Sequence, residues 1–215
     1  MPPESAPSPI LDARVNAVIE RLRANRHGPA GGGPRQNQAA EDPYAYTEFG
    51  FSIHPEQGDL IYLLCRSIAA TRVVEFATSV GMSTLYFAAA VRDNGGGRVI
   101  GSELVPAKVR RARENLVEAG LAEWVDIREG DARETLRDIG GPVDFALIDG
   151  WPVREGPSLA LQVMELLAPQ IRRGGIVMND NGEDDYLAFV RDPANGFRSA
   201  TLPIKKGTEL SVKVD

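Results

Sequence analysis

The chain carries a single cysteine, Cys65. No intrachain disulfide can form, and such usage points to a reducing, cytoplasmic compartment. Cys65 sits in L-I-Y-L-L-C-R, an apolar setting that reads as a buried thiol rather than a nucleophile. Long hydrophobic runs are missing too: nothing approaches the ~20 apolar residues of a membrane-spanning helix. The opening M-P-P-E-S-A-P-S-P has neither the basic start nor the apolar centre of an export signal. Acidic residues outnumber basic ones, and the net charge of −6 argues against a nucleic-acid backbone as the main ligand. No internal repeat is visible. The G-x-G-x-x-G spacing of a dinucleotide loop is absent as well.

What remains is the composition of a globular protein, 43% apolar and 25% charged over 215 residues. That length suits one domain at roughly 100–200 residues each. Ile10 to Arg26 is expected to be a helix with Leu11, Val15, Val18, Ile19 and Leu22 on one face. The Gly/Pro-rich run His27 to Gln38 forbids regular structure and reads either as a linker or as an active-site lid. Residues 1–45 are therefore set apart as an N-terminal helix and flexible cap, and 46–215 as the main domain.

A second helix is expected from Gln57 to Ala70. Beyond it strands and helices alternate. Strands are expected over Arg72–Ala77, Arg98–Glu103, Val125–Arg128, Val143–Ile148 and Gly175–Met178. Helices are expected over Ser83–Val91 (with Ser83 as N-cap), Pro106–Ala119, Arg133–Ile139, Ser158–Ile171 and Asp185–Arg191. Two last strands, Phe197–Ile204 and Glu209–Val214, are joined by K-K-G-T, too short for a parallel crossover. The fold class is α/β: a doubly wound, mostly parallel seven-stranded sheet ending in an antiparallel hairpin.

In such a sheet ligands sit beyond the carboxyl ends of the strands, where strand order reverses. The first strand leads into V-V-E-F-A-T-S-V-G-M-S-T, Val73 to Thr84. Glu103 ends the second strand, 22 residues after Gly81, about the distance at which an acid meets ribose hydroxyls. Glu75 would repel a phosphate and suits a ligand carrying an ammonium or sulfonium group. The alternative for Glu75 is a strand-end acid in a surface ion pair. Two further strands end in acids, at Asp149 and at Asn179-Asp180-Asn181. Asp149, Asp180 and Asn181 offer hard oxygen ligands of the kind that suits Mg²⁺. Their alternative is a turn at Asp149-Gly150 and a solvated acidic loop, to which Glu183, Asp184 and Asp185 add weight.

The stretch E-F-A-T-S-V-G-M-S-T resembles the first motif of class I S-adenosylmethionine (AdoMet) methyltransferases, and most of all the catechol and caffeoyl-CoA O-methyltransferase group, whose version reads E-x-G-x-x-x-G-x-S. The likeness runs in register through V-I-G-S-E, E-G-D-A, V-D-F-A-L-I-D-G-W, G-G-I-V-M-N-D-N and G-T-E-L-S-V, about residues 50–215. It implies the Rossmann-like AdoMet methyltransferase fold. It also implies that Glu75 binds the methionine amino group and that Ala77 stands where the family has glycine. Ser79 and Ser83 would meet the methionine carboxylate beside Gly81, and Glu103 the ribose. Asp131 and Ala132 would lie by the adenine, and Ile53 and His54 would border the cofactor. For His54 alone, a surface or packing role is the simpler reading. The resemblance further places metal ligands at Asp149, Asp180 and Asn181, with Asp149 also bordering the cofactor, and Trp151 in the acceptor pocket.

The implied reaction is Mg²⁺-assisted methyl transfer from AdoMet to a hydroxyl of a small, vicinally hydroxylated acceptor. One departure matters: Pro152 stands where the catechol enzymes carry a lysine read as general base. Arg154 stays protonated and cannot replace it. Lys205 and Lys206 read as solvated turn residues or as speculative substitutes. Three alternatives follow: an AdoMet methyltransferase without metal, an NAD-dependent oxidoreductase, and a silent binding protein. By family analogy the chain could form a homodimer.

Overall fold

The computed structural model describes residues 7–25, 42–149, 156–180, 182–205 and 207–215. The run His27–Gln38, the segment Gly150–Arg154 with Trp151 and Pro152, and Asn181 and Lys206 lie outside the described residues.

Seven strands form one sheet in the order β3-β2-β1-β4-β5-β7-β6. They are β1 (Arg72–Phe76), β2 (Arg98–Glu103), β3 (Val125–Glu129), β4 (Val143–Ile148), β5 (Ile171–Asn179), β6 (Phe197–Leu202) and β7 (Thr208–Lys213). The first five pair in parallel, and β7 runs antiparallel to both β5 and β6. The order reverses between β1 and β4, where the chain turns from building one half of the sheet to building the other.

Successive strand residues point to opposite faces, and here both faces are apolar. Val73, Val99, Ile127, Phe145, Leu147 and Met178 enter one cluster. Val74, Ile100, Ala146, Ile148 and Val177 enter the other. The first face is covered by α1 (Ala13–Ala24), α2 (Pro55–Ser67), α3 (Met82–Asp93) and α4 (Pro106–Ala119). The second is covered by α5 (Ala132–Thr135), α6 (Leu159–Leu167) and α7 (Asp184–Arg191). This is the doubly wound arrangement expected from the β-α alternation. No helix among the described residues is long and apolar enough to cross a membrane. Cys65 is fully buried, and burial first of all pushes its thiol up, away from nucleophile chemistry.

Helix α1 starts later than the apolar pattern suggests. Asp12 caps it by accepting the amides of Arg14 and Val15 at 2.8 and 3.3 Å. Leu11 therefore precedes the helix and lies 94% exposed, while Ile10 takes the buried place. The helix shares the first core cluster and is tied to α4 by Arg14 on Val117 O and by Arg21 on Glu118.

Helix α6 ends earlier than expected. Pro169 cannot donate to the helical ladder, the chain tightens into a 3-10 turn at Ala168–Gln170, and β5 begins at Ile171. Strand β5 then bulges: Val143 pairs with Ile171 but Phe145 pairs with Ile176. Gly174 takes the left-handed backbone that this bulge needs, with φ 76°.

Candidate active site

The carboxyl ends of β1, β2, β4 and β5 meet at the reversal point, and each delivers an acid. Glu75 is one residue short of the end of β1, paired laterally with Gly101 and Leu147. It is completely buried. Ser83 Oγ donates to its Oε1 and Thr84 Oγ1 donates to its Oε2 at 2.6 Å. Burial pushes its carboxyl up, opposed by the Ser83 and Thr84 hydroxyls. Ser83 is therefore not the N-cap of α3. Gly81 holds that place at φ 87°, the helix begins at Met82, and the Ser83 side chain turns inward.

The loop between β1 and α3 is built from backbone of unusual sign. Ala77 has φ 68° and Ser79 φ 51°, both left-handed. Ala77 N and Thr78 N both donate to Ser102 O at 3.1 Å, which carries the loop over the end of β2. Ser79 N donates to Glu103 Oε2 at 2.7 Å and Val105 N to Glu103 Oε1 at 2.8 Å. Two amide donors hold the Glu103 carboxyl group in place, with a lone pair on each oxygen to spare. Gly101 sits mid-strand with no sequence signal of its own, yet a Cβ there would fall on Thr78 Oγ1 and approach Glu75 Oε2 at 3.5 Å. Only a glycine in β2 leaves room for the loop.

The segment preceding α2 lies against this loop. Phe51 N donates to Ser79 Oγ at 3.1 Å, and a Cβ on Gly50 would touch Val80 at 2.9 Å. Ile53 is buried in the first core cluster. The half-buried His54 caps α2, with its amide donating to Gln57 Oε1 at 2.8 Å and its carbonyl accepting from Gln57 N at 3.1 Å. Lys108, almost fully buried, lies 4.8 Å from the centre of the Phe51 ring. Tyr44 Oη donates to Leu104 O at 3.4 Å, beside Glu103.

Asp131 caps α5 and pairs with Arg133 at 2.5 Å, and this Arg133 contact holds its carboxyl below the usual range. Ala132 is buried in the second cluster. Gly130 N donates to Glu103 O at 2.9 Å, so this corner borders the Glu103 end of the site.

The second acid pair follows from register. Ile148 and Asn179 are lateral partners in β4 and β5, and Asn179 Nδ2 donates to Ile148 O at 2.9 Å. The next residue on each strand is Asp149 and Asp180. Asp180 is 4% exposed, whereas Asp149 keeps some surface open. Burial, followed by the neighbouring Asp180 charge, pushes the Asp149 carboxyl up to about 7, against the pull of Lys205. Asp180 accepts from Gln57 Nε2 on Oδ1 and from Lys205 Nζ on Oδ2. Lys205 lies in an exposed turn, as expected, but its ammonium reaches inward to the buried Asp180. No local pattern marks Gln57 as more than a helix residue, because its partners, Asp180 and Thr208, are 123 and 151 residues away.

Two hard carboxylates whose charges repel form a donor set that fits a divalent ion. Among the described residues, no three His, Cys, Asp or Glu side chains gather as a metal cluster. The third expected donor, Asn181, lies outside them, as does Trp151.

Residues 74–182 match the family model described as a methyltransferase domain. A catechol O-methyltransferase of Mycobacterium tuberculosis is 31% identical over 65% of this chain and 66% of its own length. One of Niastella koreensis is 32% identical over 65% of this chain and 67% of its own. The chain thus spans about two thirds of the curated relatives it matches. In three dimensions, the O-methyltransferase of Bacillus cereus in complex with SAH aligns at a TM-score of 0.63 and 20% identity, covering 94% of this chain and 91% of that one. With the motif run of residues 50–215 and the reversal-point acids in place, the chain belongs to the class I O-methyltransferases.

Proposed function

We propose that the protein is an AdoMet-dependent O-methyltransferase acting on a hydroxyl of a small, vicinally hydroxylated acceptor with the help of a divalent metal ion, Mg²⁺ by ligand type. The observation that carries this reading is the sequence of acids along the sheet ends, Glu75, Glu103, Asp149 and Asp180. A cleft so negative favours a sulfonium-bearing nucleoside and disfavours a pyrophosphate. Catechol O-methyltransferase relatives and an SAH-bound structural neighbour support it.

In this reading Glu103 accepts the two ribose hydroxyls on the lone pairs that Ser79 N and Val105 N leave free. Glu75, locked by Ser83 and Thr84, sets a negative wall toward the methionine ammonium. Ser83, committed to Glu75, acts on the ligand through that carboxylate. The amide end of α3 behind Gly81 attracts the methionine carboxylate. Ala132 and Ile53 supply apolar walls, and Asp131 borders the adenine side. Asp149, Asp180 and Asn181 would hold the metal ion, which when bound lowers the pKa of an acceptor hydroxyl. The protein aligns that oxygen with the methyl carbon, with Trp151 as a wall of the acceptor pocket. A cytoplasmic setting is part of the same proposal.

A second reading, transfer without metal, has one observation in its favour: the Lys205 ammonium already sits on Asp180. Labelled methyl transfer from AdoMet to 3,4-dihydroxyphenyl compounds, with Mg²⁺ and with excess EDTA, separates the two. Product lost in EDTA is the expected result. Product that persists in EDTA supports the second reading, and no product in either arm removes the catechol-type acceptor.

A further inference from the structure

We propose that Lys205 is an internal cation that competes with a divalent metal ion for Asp180, so that metal binding requires the lysine to leave. The inference rests on the metal part of the proposed function and goes beyond it.

The Asp180 side chain is 1% exposed, and its two oxygens face different donors. Gln57 Nε2 holds Oδ1, and the Lys205 ammonium holds Oδ2. An uncompensated buried carboxylate is costly, and a second carboxylate, Asp149, follows the neighbouring strand. Lys205 supplies the compensation from the turn between β6 and β7. Its position is built: β7 pairs with β5 through Asn179 and Glu209, which carries the hairpin turn past Asp180. The Lys205 backbone takes φ 57°, a left-handed value that aims this residue from the turn.

A divalent ion on Asp180 would place two positive charges beside that ammonium. Like charges sharing one carboxylate in a buried setting repel strongly. The lysine can yield, because its stem is flexible and its side chain is 29% exposed. Gln57 cannot, being fully buried and bound to Thr208 Oγ1 at 2.9 Å and to His54 N at 2.8 Å. The coupling is reciprocal: whatever Lys205 gains on Asp180 is lost from metal affinity. The same acids thereby avoid standing charged and uncompensated while remaining open to a stronger cation.

The test is Mn²⁺ titration of the full chain, read by calorimetry and by the paramagnetic resonance of free Mn²⁺, for the wild type, Lys205→Met, Lys205→Arg and Lys205→Gly. The glycine variant also relaxes the left-handed backbone, so a folding defect in one variant does not decide the matter. Lys205→Met and Lys205→Gly are expected to bind Mn²⁺ about 10-fold or more tightly than wild type, and Lys205→Arg within about threefold of it. Equal or weaker binding by both charge-removing variants overturns the competition and leaves the metal reading standing. Absence of Mn²⁺ uptake by every protein overturns the metal reading and the inference together.

Discussion

Gln57 Nε2 donates to Asp180 Oδ1 and to Thr208 Oγ1, joining the start of α2 to the ends of β5 and β7 from a fully buried position. One amide thus orients a candidate metal ligand and pins the final hairpin. Replacing it by leucine removes both donor bonds and leaves buried acceptors unpaired. Gln57→Leu is expected to lose about 1–3 kcal/mol of stability and about 10- to 100-fold in Mn²⁺ affinity. Urea unfolding and metal titration of the same preparation check both. A variant with unchanged metal affinity would reduce Gln57 to a packing residue.

The loop backbone makes a second prediction. Ala77 occupies φ 68°, where an L side chain costs roughly 1–2 kcal/mol. Glycine removes that cost but adds freedom to the unfolded chain, which takes back about 0.4–1 kcal/mol. Ala77→Gly is expected to be neutral to about 1 kcal/mol more stable, with AdoMet binding retained. A thermal melt that moves down contradicts the strain reading.

Gly101 tests the opposite case. A methyl group there collides with Thr78 beside the Glu75 carboxylate. Gly101→Ala is expected to cost about 1–3 kcal/mol through overpacking and to weaken AdoMet binding, because the loop from Ala77 to Gly81 must shift. Calorimetric AdoMet titration together with urea unfolding reads both effects. Normal binding in this variant would show that the loop yields without disturbing the ligand.

Much of this framework is legible in the sequence for a physical reason. Strand and helix periods are local, so Val73/Val74 and Val109/Ala112/Leu116 announce their faces without help from distant residues. The antiparallel end followed from the brevity of K-K-G-T alone. Acids at strand ends, such as Glu103 and Asp149, could be placed because topology fixes where strands finish. What escaped were partners distant in sequence. Nothing near Gln57 hints at Asp180, and nothing near Lys205 tells that the hairpin brings the ammonium of this exposed turn residue to the end of β5. Ser83 looked like a cap because a hydroxyl before a helix usually is one. The buried Glu75 supplied the stronger partner, and Gly81 took over the cap.

Acid should loosen the last hairpin. Glu209 is 2% exposed and accepts from Arg191 at 2.8 and 2.9 Å and from Thr201 Oγ1 at 2.6 Å. The Arg191 contact, above all, holds its carboxyl below the ordinary range. A carboxylate lowered in the folded state contributes stability that is present above the unfolded value, about 4.3, and is lost as pH falls through the folded one. Glu209→Gln is therefore expected to be less stable than wild type at neutral pH, with the gap closing below about pH 4. Melting temperatures across pH 2–8 check this. A gap constant with pH would assign the loss to packing.

The acid-lined cleft at the reversal of the sheet is where AdoMet is expected to bind. Calorimetric titration of AdoMet into the wild type and into Glu103→Ala tests it. Saturable binding by the wild type, weakened about 10-fold or more when the ribose carboxylate is removed, is the expected result. Absence of AdoMet binding to the wild type, or binding that is indifferent to Glu103→Ala, would contradict it.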